Sequence, residues 1–176
     1  GLDVVTLTDM RELIGRTQTG KMSPEELLAA EKTSLPGVGT CSMLGTANTM
    51  SCLAEILGIS LPGCALAHAV SAEKRRIAKQ SGRRIVEMVK EDLTPCKIMT
   101  RDSLRNGVMV SMAMGASTNS TLHLPAIAHE AGIPLSLKDF DEISRNVPYL
   151  CNIKPSGQHP LSVLEENGGI PAVMKS

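Results

Sequence analysis

The chain has 176 residues, enough for one hydrophobic core, and 42% of them are hydrophobic. Eighteen basic residues balance eighteen acidic ones, so no field of one sign would recruit nucleic acid, and one Phe, one Tyr and no Trp leave little for bases to stack on. We therefore expect no nucleic-acid partner. We also expect no membrane partner, because the sequence has neither an apolar run long enough to span a bilayer nor a signal-peptide pattern.

Cysteine usage indicates a reducing compartment. Five cysteines, at positions 41, 52, 64, 96 and 151, are scattered without a C-x-x-C pair, which argues against a disulfide framework or a self-contained zinc site. We therefore expect a cytoplasmic protein. Localisation to an organelle is the alternative, because we expect the natural N-terminus, where a targeting peptide would lie, to be missing from the sequence.

Helical periodicity dominates the chain from its N-terminal part onward. Residues Ser23 to Glu26 combine an N-cap, a proline at the first helical position and a glutamate at the third, which predicts a short helix to about Glu31. A second helix is predicted over Thr46 to Leu57, with Gly58 as its stop.

A glycine-rich loop, residues 36–48, places Cys41 directly before the second helix and reads P-G-V-G-T-C-S-M-L-G-T-A-N. Its glycines let the backbone approach a bound group, and the amides at the helix start carry the positive end of the dipole. A thiolate or an anionic ligand would be stabilised there. The alternative is a tight connection with a buried thiol. The loop is neither a Walker A motif nor a dinucleotide fingerprint.

The longest helix is predicted from Ser71 to about Asp92. Basic residues crowd its N-terminal half and apolar residues recur along it at helical spacing. Gly82 in its interior costs about 1 kcal/mol relative to alanine, which indicates close packing of another backbone. The basic run is either a solvated face or a surface that meets another part of the protein.

Thr100 caps a helix that is apolar on all sides from Val108 to Met114, as is typical of a helix in the interior. Ser117, Thr118 and Asn119 then open a further helix. These three side chains can cap that helix, or they can turn hydrogen-bond donors toward a carboxylate or phosphate. We take them as candidate substrate-binding residues.

The C-terminal part is predicted to hold shorter elements. Ser136 begins a helix, and Tyr149 to Ile153 is the best strand candidate in the chain. A last short helix is predicted over Ser162 to Asn167, closed by two glycines.

Four ordered segments resemble one protein family. They are T-C-S-M-L-G-T-A-N-T-M-S-C-L-A-E-I-L-G-I-S-L-P-G from Thr40, and the segments Gly82 to Val89, Gly115 to Leu124 and Gly168 to Val173. Together they are similar to the dihydroxy-acid and phosphogluconate dehydratase family, across nearly the whole chain.

The resemblance implies a cofactor. Cys41 matches a cysteine that ligates an iron–sulfur cluster, 2Fe-2S or 4Fe-4S, acting as a Lewis acid toward a departing hydroxyl. Family members also bind Mg²⁺, through ligands that are mostly outside this chain. Their Cys-Asp-Lys motif, an earlier acidic motif and a downstream domain with a proposed serine base have no match here, so no catalytic residue is assigned.

The resemblance also sets the expected fold. Residues 1–176 are expected to form a partial N-terminal domain of a dehydratase, with the cluster-binding loop near 36–48 and the C-terminal domain absent. The predicted class is α/β: a mostly helical fragment of an α/β domain whose main parallel strands lie upstream. The sheet is implied by the resemblance alone, since the periodicity shows helices.

The leading functional hypothesis is a hydro-lyase that dehydrates a 2,3-dihydroxy carboxylic acid to a 2-oxo acid in branched-chain amino-acid biosynthesis. A sugar-acid dehydratase, acting on an aldonate or phosphogluconate, is the alternative within the family. A non-catalytic helical docking module is the alternative from another class. The whole enzyme is expected to be a homo-oligomer, a dimer or tetramer, and this chain alone is expected to be inactive.

Overall fold

A computed structural model describes residues 5–35 and 37–176, and within these ranges the chain forms ten helices and no strand. In chain order the helices are α1 (Leu7–Gln18), α2 (Pro24–Thr33), α3 (Thr46–Ile56), α4 (Ala72–Lys90), α5 (Pro95–Ile98), α6 (Arg101–Met114), α7 (Ser120–Glu130), α8 (Leu137–Ser144), α9 (Ser162–Glu166) and α10 (Gly169–Lys175). The predicted mostly helical character is confirmed. The parallel sheet of the predicted α/β class has no counterpart in the described ranges.

Capping residues set the helix starts. Ser23 and Thr100 each accept a hydrogen bond from the third backbone amide of the helix that follows, and each is part of a capping box. The predicted starts of α2 and α6 are therefore confirmed. Helix α1 was not predicted, although its capping box of Thr6 and Asp9 is a recognisable pattern.

The core is built around α6, which packs on α3, α7, α8 and α10. Gly107 allows α3 to approach closely, since a Cβ at this position would lie 3.2 Å from Leu57 Cδ2. Leu104 and Val108 are buried on the same helix, and Val108 begins the apolar run that is predicted to lie in the interior. Met109, however, is 38% exposed, so α6 is not enclosed on every side.

The predicted strand at Tyr149 to Ile153 is wrong. The backbone amides of Leu150 and Cys151 both donate to the Ala113 carbonyl, at 2.8 and 3.2 Å. The segment thus caps the C-terminal end of α6 instead of pairing with a neighbouring strand. Gly115 makes this possible, because it ends α6 with a φ of +63° and leaves no side chain to collide with the Tyr149 ring.

Helices α1 and α2 pack on each other and contribute no buried residue to the core. An ion pair holds them to the rest of the fold, since Lys154 Nζ lies 2.6 Å from Asp9 Oδ1. Burial alone would raise the pKa of Asp9, but hydrogen bonds from Lys154 and Thr6 outweigh it and lower the pKa below its usual value.

Helix α4 is the longest helix in the described chain, and Ile77 is its one buried residue. The close backbone contact predicted at Gly82 is not found, since no described atom lies within 4 Å of a Cβ built there. None of the helices in residues 5–35 and 37–176 is both long and apolar enough to cross a membrane.

We predict that Leu104→Ala lowers the free energy of unfolding by about 2–5 kcal/mol, because it leaves a cavity in the core. Leu137→Ala is the matched control, since Leu137 is 65% exposed on α8 whereas Leu104 is 1% exposed. Urea denaturation of both variants measures the difference. Equal losses would contradict the placement of the core around α6.

Candidate functional site

The loop that carries Cys41 is held by one buried amide side chain. Asn48 lies in the first turn of α3, 2% exposed, and its Nδ2 donates to the carbonyl oxygens of Cys41 and Met43 at 2.6 and 2.7 Å. Its Oδ1 accepts a hydrogen bond from Thr40 at 2.6 Å. These bonds fold the loop back over the start of the helix, so the position of Cys41 depends on Asn48.

The C-terminal segment holds the same loop from the other side. The Leu44 amide donates to the Lys154 carbonyl at 2.6 Å, and the Leu161 amide donates to the Ser42 carbonyl at 2.8 Å. Because the side chain of Lys154 also binds Asp9, this one residue joins α1, the loop and the C-terminal segment.

Two glycines of the loop lie against the segment before α4. Gly39 has a φ of +107°, and a Cβ there would lie 2.8 Å from the Cβ of Ala69. Gly37 lies beside the ring of His68. The two loop glycines thus lie close to side chains of this segment, and the predicted approach to a bound group stays a prediction. Pro36, the first residue of the predicted loop, lies outside the described residues.

Cys41 differs from the core cysteines in its surroundings. It is partly exposed, whereas Cys52 and Cys151 are buried. Burial raises the pKa of Cys52 to about 12 and also raises the pKa of Cys151, so both favour the neutral thiol. Cys64 is partly exposed and Cys96 is exposed. Nowhere in the described chain do three or more His, Cys, Asp or Glu side chains form a cluster that could hold a metal ion.

The candidate substrate residues meet the start of α3. Asn119 Nδ2 donates to Thr46 Oγ1 at 2.7 Å, and Ser117 Oγ lies 3.3 Å from the same oxygen. The Ser117 amide donates to Thr49 Oγ1 at 3.0 Å. The side chain of Asn119 does not cap α7, although Asn119 is the N-cap residue. Its side-chain amide instead joins the start of α7 to the start of α3. The side chain of Thr118 is exposed.

The fold therefore gathers Cys41, Ser117 and Asn119 around one end of α3. Thr46 and Asn48 belong to this group but were not singled out from the sequence, although the polar pair lies in the quoted T-A-N-T-M segment. The start of α3, at Gly45, has no side-chain cap. A groove of about 390 Å³ between α6 and α8 lies elsewhere, and none of the predicted site residues lines it.

One polar atom beside Cys41 is unsatisfied. The Ser42 hydroxyl oxygen is buried and has no hydrogen-bond partner among the described residues. Such groups are uncommon in folded proteins, because desolvation without a partner costs about 1–3 kcal/mol. The loop thus holds an unpaired, buried hydroxyl on the residue that follows the partly exposed Cys41.

Comparison with known proteins identifies relatives along nearly the whole chain. Residues 2–176 match a family model described as the N-terminal region of dihydroxy-acid/6-phosphogluconate dehydratase. Proteins named dihydroxy-acid dehydratase from Methanosarcina barkeri and Methanothermobacter thermautotrophicus are 53% and 51% identical to it, over 96% and 98% of this chain. A third from Moorella thermoacetica is 48% identical over 97% of it. The chain spans about a third of the relatives' length, 31%, 32% and 31% respectively.

We predict that Asn48→Ala lowers the free energy of unfolding by about 2 kcal/mol, because two carbonyl groups lose their buried donor. Alkylation of Cys41, followed by mass spectrometry of its peptide, should become faster as the loop loosens. Asn146→Ala is the control, since Asn146 is exposed and its side chain donates one bond, to the Glu142 carbonyl. If both variants left the Cys41 rate unchanged, Asn48 would not be what holds the loop.

Proposed function

This chain belongs to the dihydroxy-acid/6-phosphogluconate dehydratase family, and we propose that it forms part of a hydro-lyase that converts a 2,3-dihydroxy carboxylic acid to a 2-oxo acid. The observation that carries the proposal is the identity of about half of its residues to proteins named dihydroxy-acid dehydratase. Those names favour the dihydroxy-acid substrate over the sugar acids of the alternative hypothesis.

We propose that Cys41 supplies one ligand of an iron–sulfur cluster. The fit is supported by the partly exposed Cys41 thiol and by the hydrogen bonds that anchor its loop. The next residue, Ser42, has an unpaired hydroxyl, and hydrogen bonds to cluster sulfurs tune such centres. When bound, the cluster would supply a Lewis acid for the departing hydroxyl. Because the described residues offer no complete ligand set, the remaining ligands and most of those for Mg²⁺ would come from outside this chain.

We assign substrate binding to Ser117, Thr118 and Asn119. One N–H of the Asn119 amide is used on Thr46, which leaves a second donor free for a substrate carboxylate or hydroxyl. Ser117 shares the Thr46 contact and fixes the connection onto α3 through its own amide. These residues would orient the substrate, and we assign no proton transfer to them.

The larger context is also a proposal. We propose that residues 1–176 form part of an N-terminal α/β domain, in which strands from elsewhere in the polypeptide pack on the helices described above. The five free cysteines support a reducing compartment such as the cytoplasm.

The test uses a chimera in which this chain replaces the matching region of the Methanosarcina barkeri dehydratase. We expect anaerobically reconstituted chimera to bind iron and dehydrate a 2,3-dihydroxy acid. Cys41→Ala should abolish both, whereas Cys52→Ala should keep iron and lose only stability, because Cys52 is 1% exposed in the core. A chimera that folds without iron would favour the non-catalytic docking module, and equal iron loss in both variants would refute the role of Cys41.

Within the same chimera we predict that Asn119→Ala lowers kcat/KM about tenfold or more while the melting temperature changes little. The reason is that the amide would touch the substrate but contributes one exposed hydrogen bond to the fold. Asn167→Ala is the control, since it also removes one exposed side-chain hydrogen bond, to the Val163 carbonyl. Parallel losses of activity and stability in Asn119→Ala would instead support a purely structural role.

A further inference from the structure

Helix α4 is attached to the fold by one face. Ile77 is buried against the preceding segment, where a Cβ built on Gly63 would lie 3.8 Å from the Ile77 Cδ1 atom. Lys74 Nζ also donates a hydrogen bond to the Cys64 carbonyl. None of the closely packed helix pairs in the described chain includes α4. The side of the helix away from Ile77 therefore faces solvent.

That side carries an apolar stripe, which we define as Ala78, Gly82, Ile85, Val86 and Val89. The spacing of three and four residues keeps the stripe on one face of the helix. Ile85 and Val86 are each 54% exposed and Val89 is 75% exposed. Large apolar side chains grouped in this way on a surface mark an interaction site.

Gly82 lies in the middle of the stripe and has an unfavourable helix propensity. Its surroundings are empty in the described chain, so nothing in this fold requires a glycine there. A small residue between larger ones lets a second backbone approach closely. The stripe is therefore shaped for a protein segment and not for a lipid surface, which would favour larger apolar and aromatic residues.

Unpaired positive charge borders the stripe. Lys79, Arg83 and Lys90 form no salt bridge with any described residue, whereas the acidic residues of the helix face Arg76 and Arg84. Helix α4 carries seven basic and two acidic residues in all. A second copy of α4 would bring like charges together, so the charge favours a partner with carboxylates beside its apolar contact.

We propose that, in a full-length dehydratase, another part of the same polypeptide covers the apolar stripe of α4. This part lies outside the region that corresponds to residues 1–176, and it contacts the stripe through an apolar segment bordered by carboxylates. The matched region is 31–32% of the length of the dehydratases from Methanosarcina barkeri and Methanothermobacter thermautotrophicus, so the rest of such a polypeptide is long enough to supply a covering segment. The proposal rests on family membership and not on the proposed activity, and accessibility of the stripe tests it independently of turnover.

The test compares thiol labelling of Val89→Cys in the isolated chain and in the Methanosarcina barkeri chimera, read on the individual peptide by mass spectrometry. We expect labelling to be about tenfold slower in the chimera, because the stripe becomes covered. Gln80→Cys is the matched control on the other side of α4, exposed in this fold, and its rate should stay the same. Equal rates for Val89→Cys in both proteins would overturn the proposal.

Two other occupants give distinct results. If labelling of Val89→Cys in the isolated chain slows as the protein concentration rises, a second copy of the chain covers the stripe. If anionic vesicles slow it, a membrane covers the stripe. Either result overturns the proposal. Cys52, buried in the core, reports folding by staying unlabelled. If the chimera fails this check, the same comparison is made in the Methanothermobacter thermautotrophicus enzyme.

Discussion

The hydrogen bonds of the Asn48 side chain are the constraint on which the candidate site depends. A buried amide must satisfy both its donors and its acceptor, since each unpaired group costs free energy of desolvation. Asn48 does so with the carbonyls of Cys41 and Met43 and the hydroxyl of Thr40. The glycine-rich loop thereby takes one shape over the start of α3, and its thiol is presented at the surface instead of being buried.

Contacts with residues distant in sequence also hold the Cys41 loop in place. Lys154 uses its carbonyl to bind the loop and its ammonium to bind Asp9, a residue 145 positions earlier in the chain. The loop is thus clamped between its own helix and a segment from the other end of the chain. Such clamping restricts the loop before any ligand binds, which is the arrangement that favours tight and specific binding.

Two parts of the surface, the start of α3 and the outer face of α4, bear on function. One end of α3 gathers the loop of Cys41 and the polar side chains of Ser117 and Asn119, yet the described residues hold no group of three or more side chains that could bind a metal ion. Helix α4 leaves an apolar face uncovered. Both features are understandable if chemistry and packing are completed by further protein, as the greater length of the relatives allows.

The sequence by itself determined where most helices lie, which family the chain resembles, and that Cys41 is a candidate ligand. Capping residues, apolar periodicity and a glycine-rich motif are local patterns, so they can be read without the fold. Only the tertiary structure decided that Tyr149 to Ile153 would cap α6 instead of forming a strand. The amides of this segment bond to the Ala113 carbonyl, which is close in space but distant in sequence. It also decided that Asn119 would reach Thr46 across 73 positions and that Lys154 would reach Asp9. No local pattern encodes such contacts, because they depend on how the helices pack.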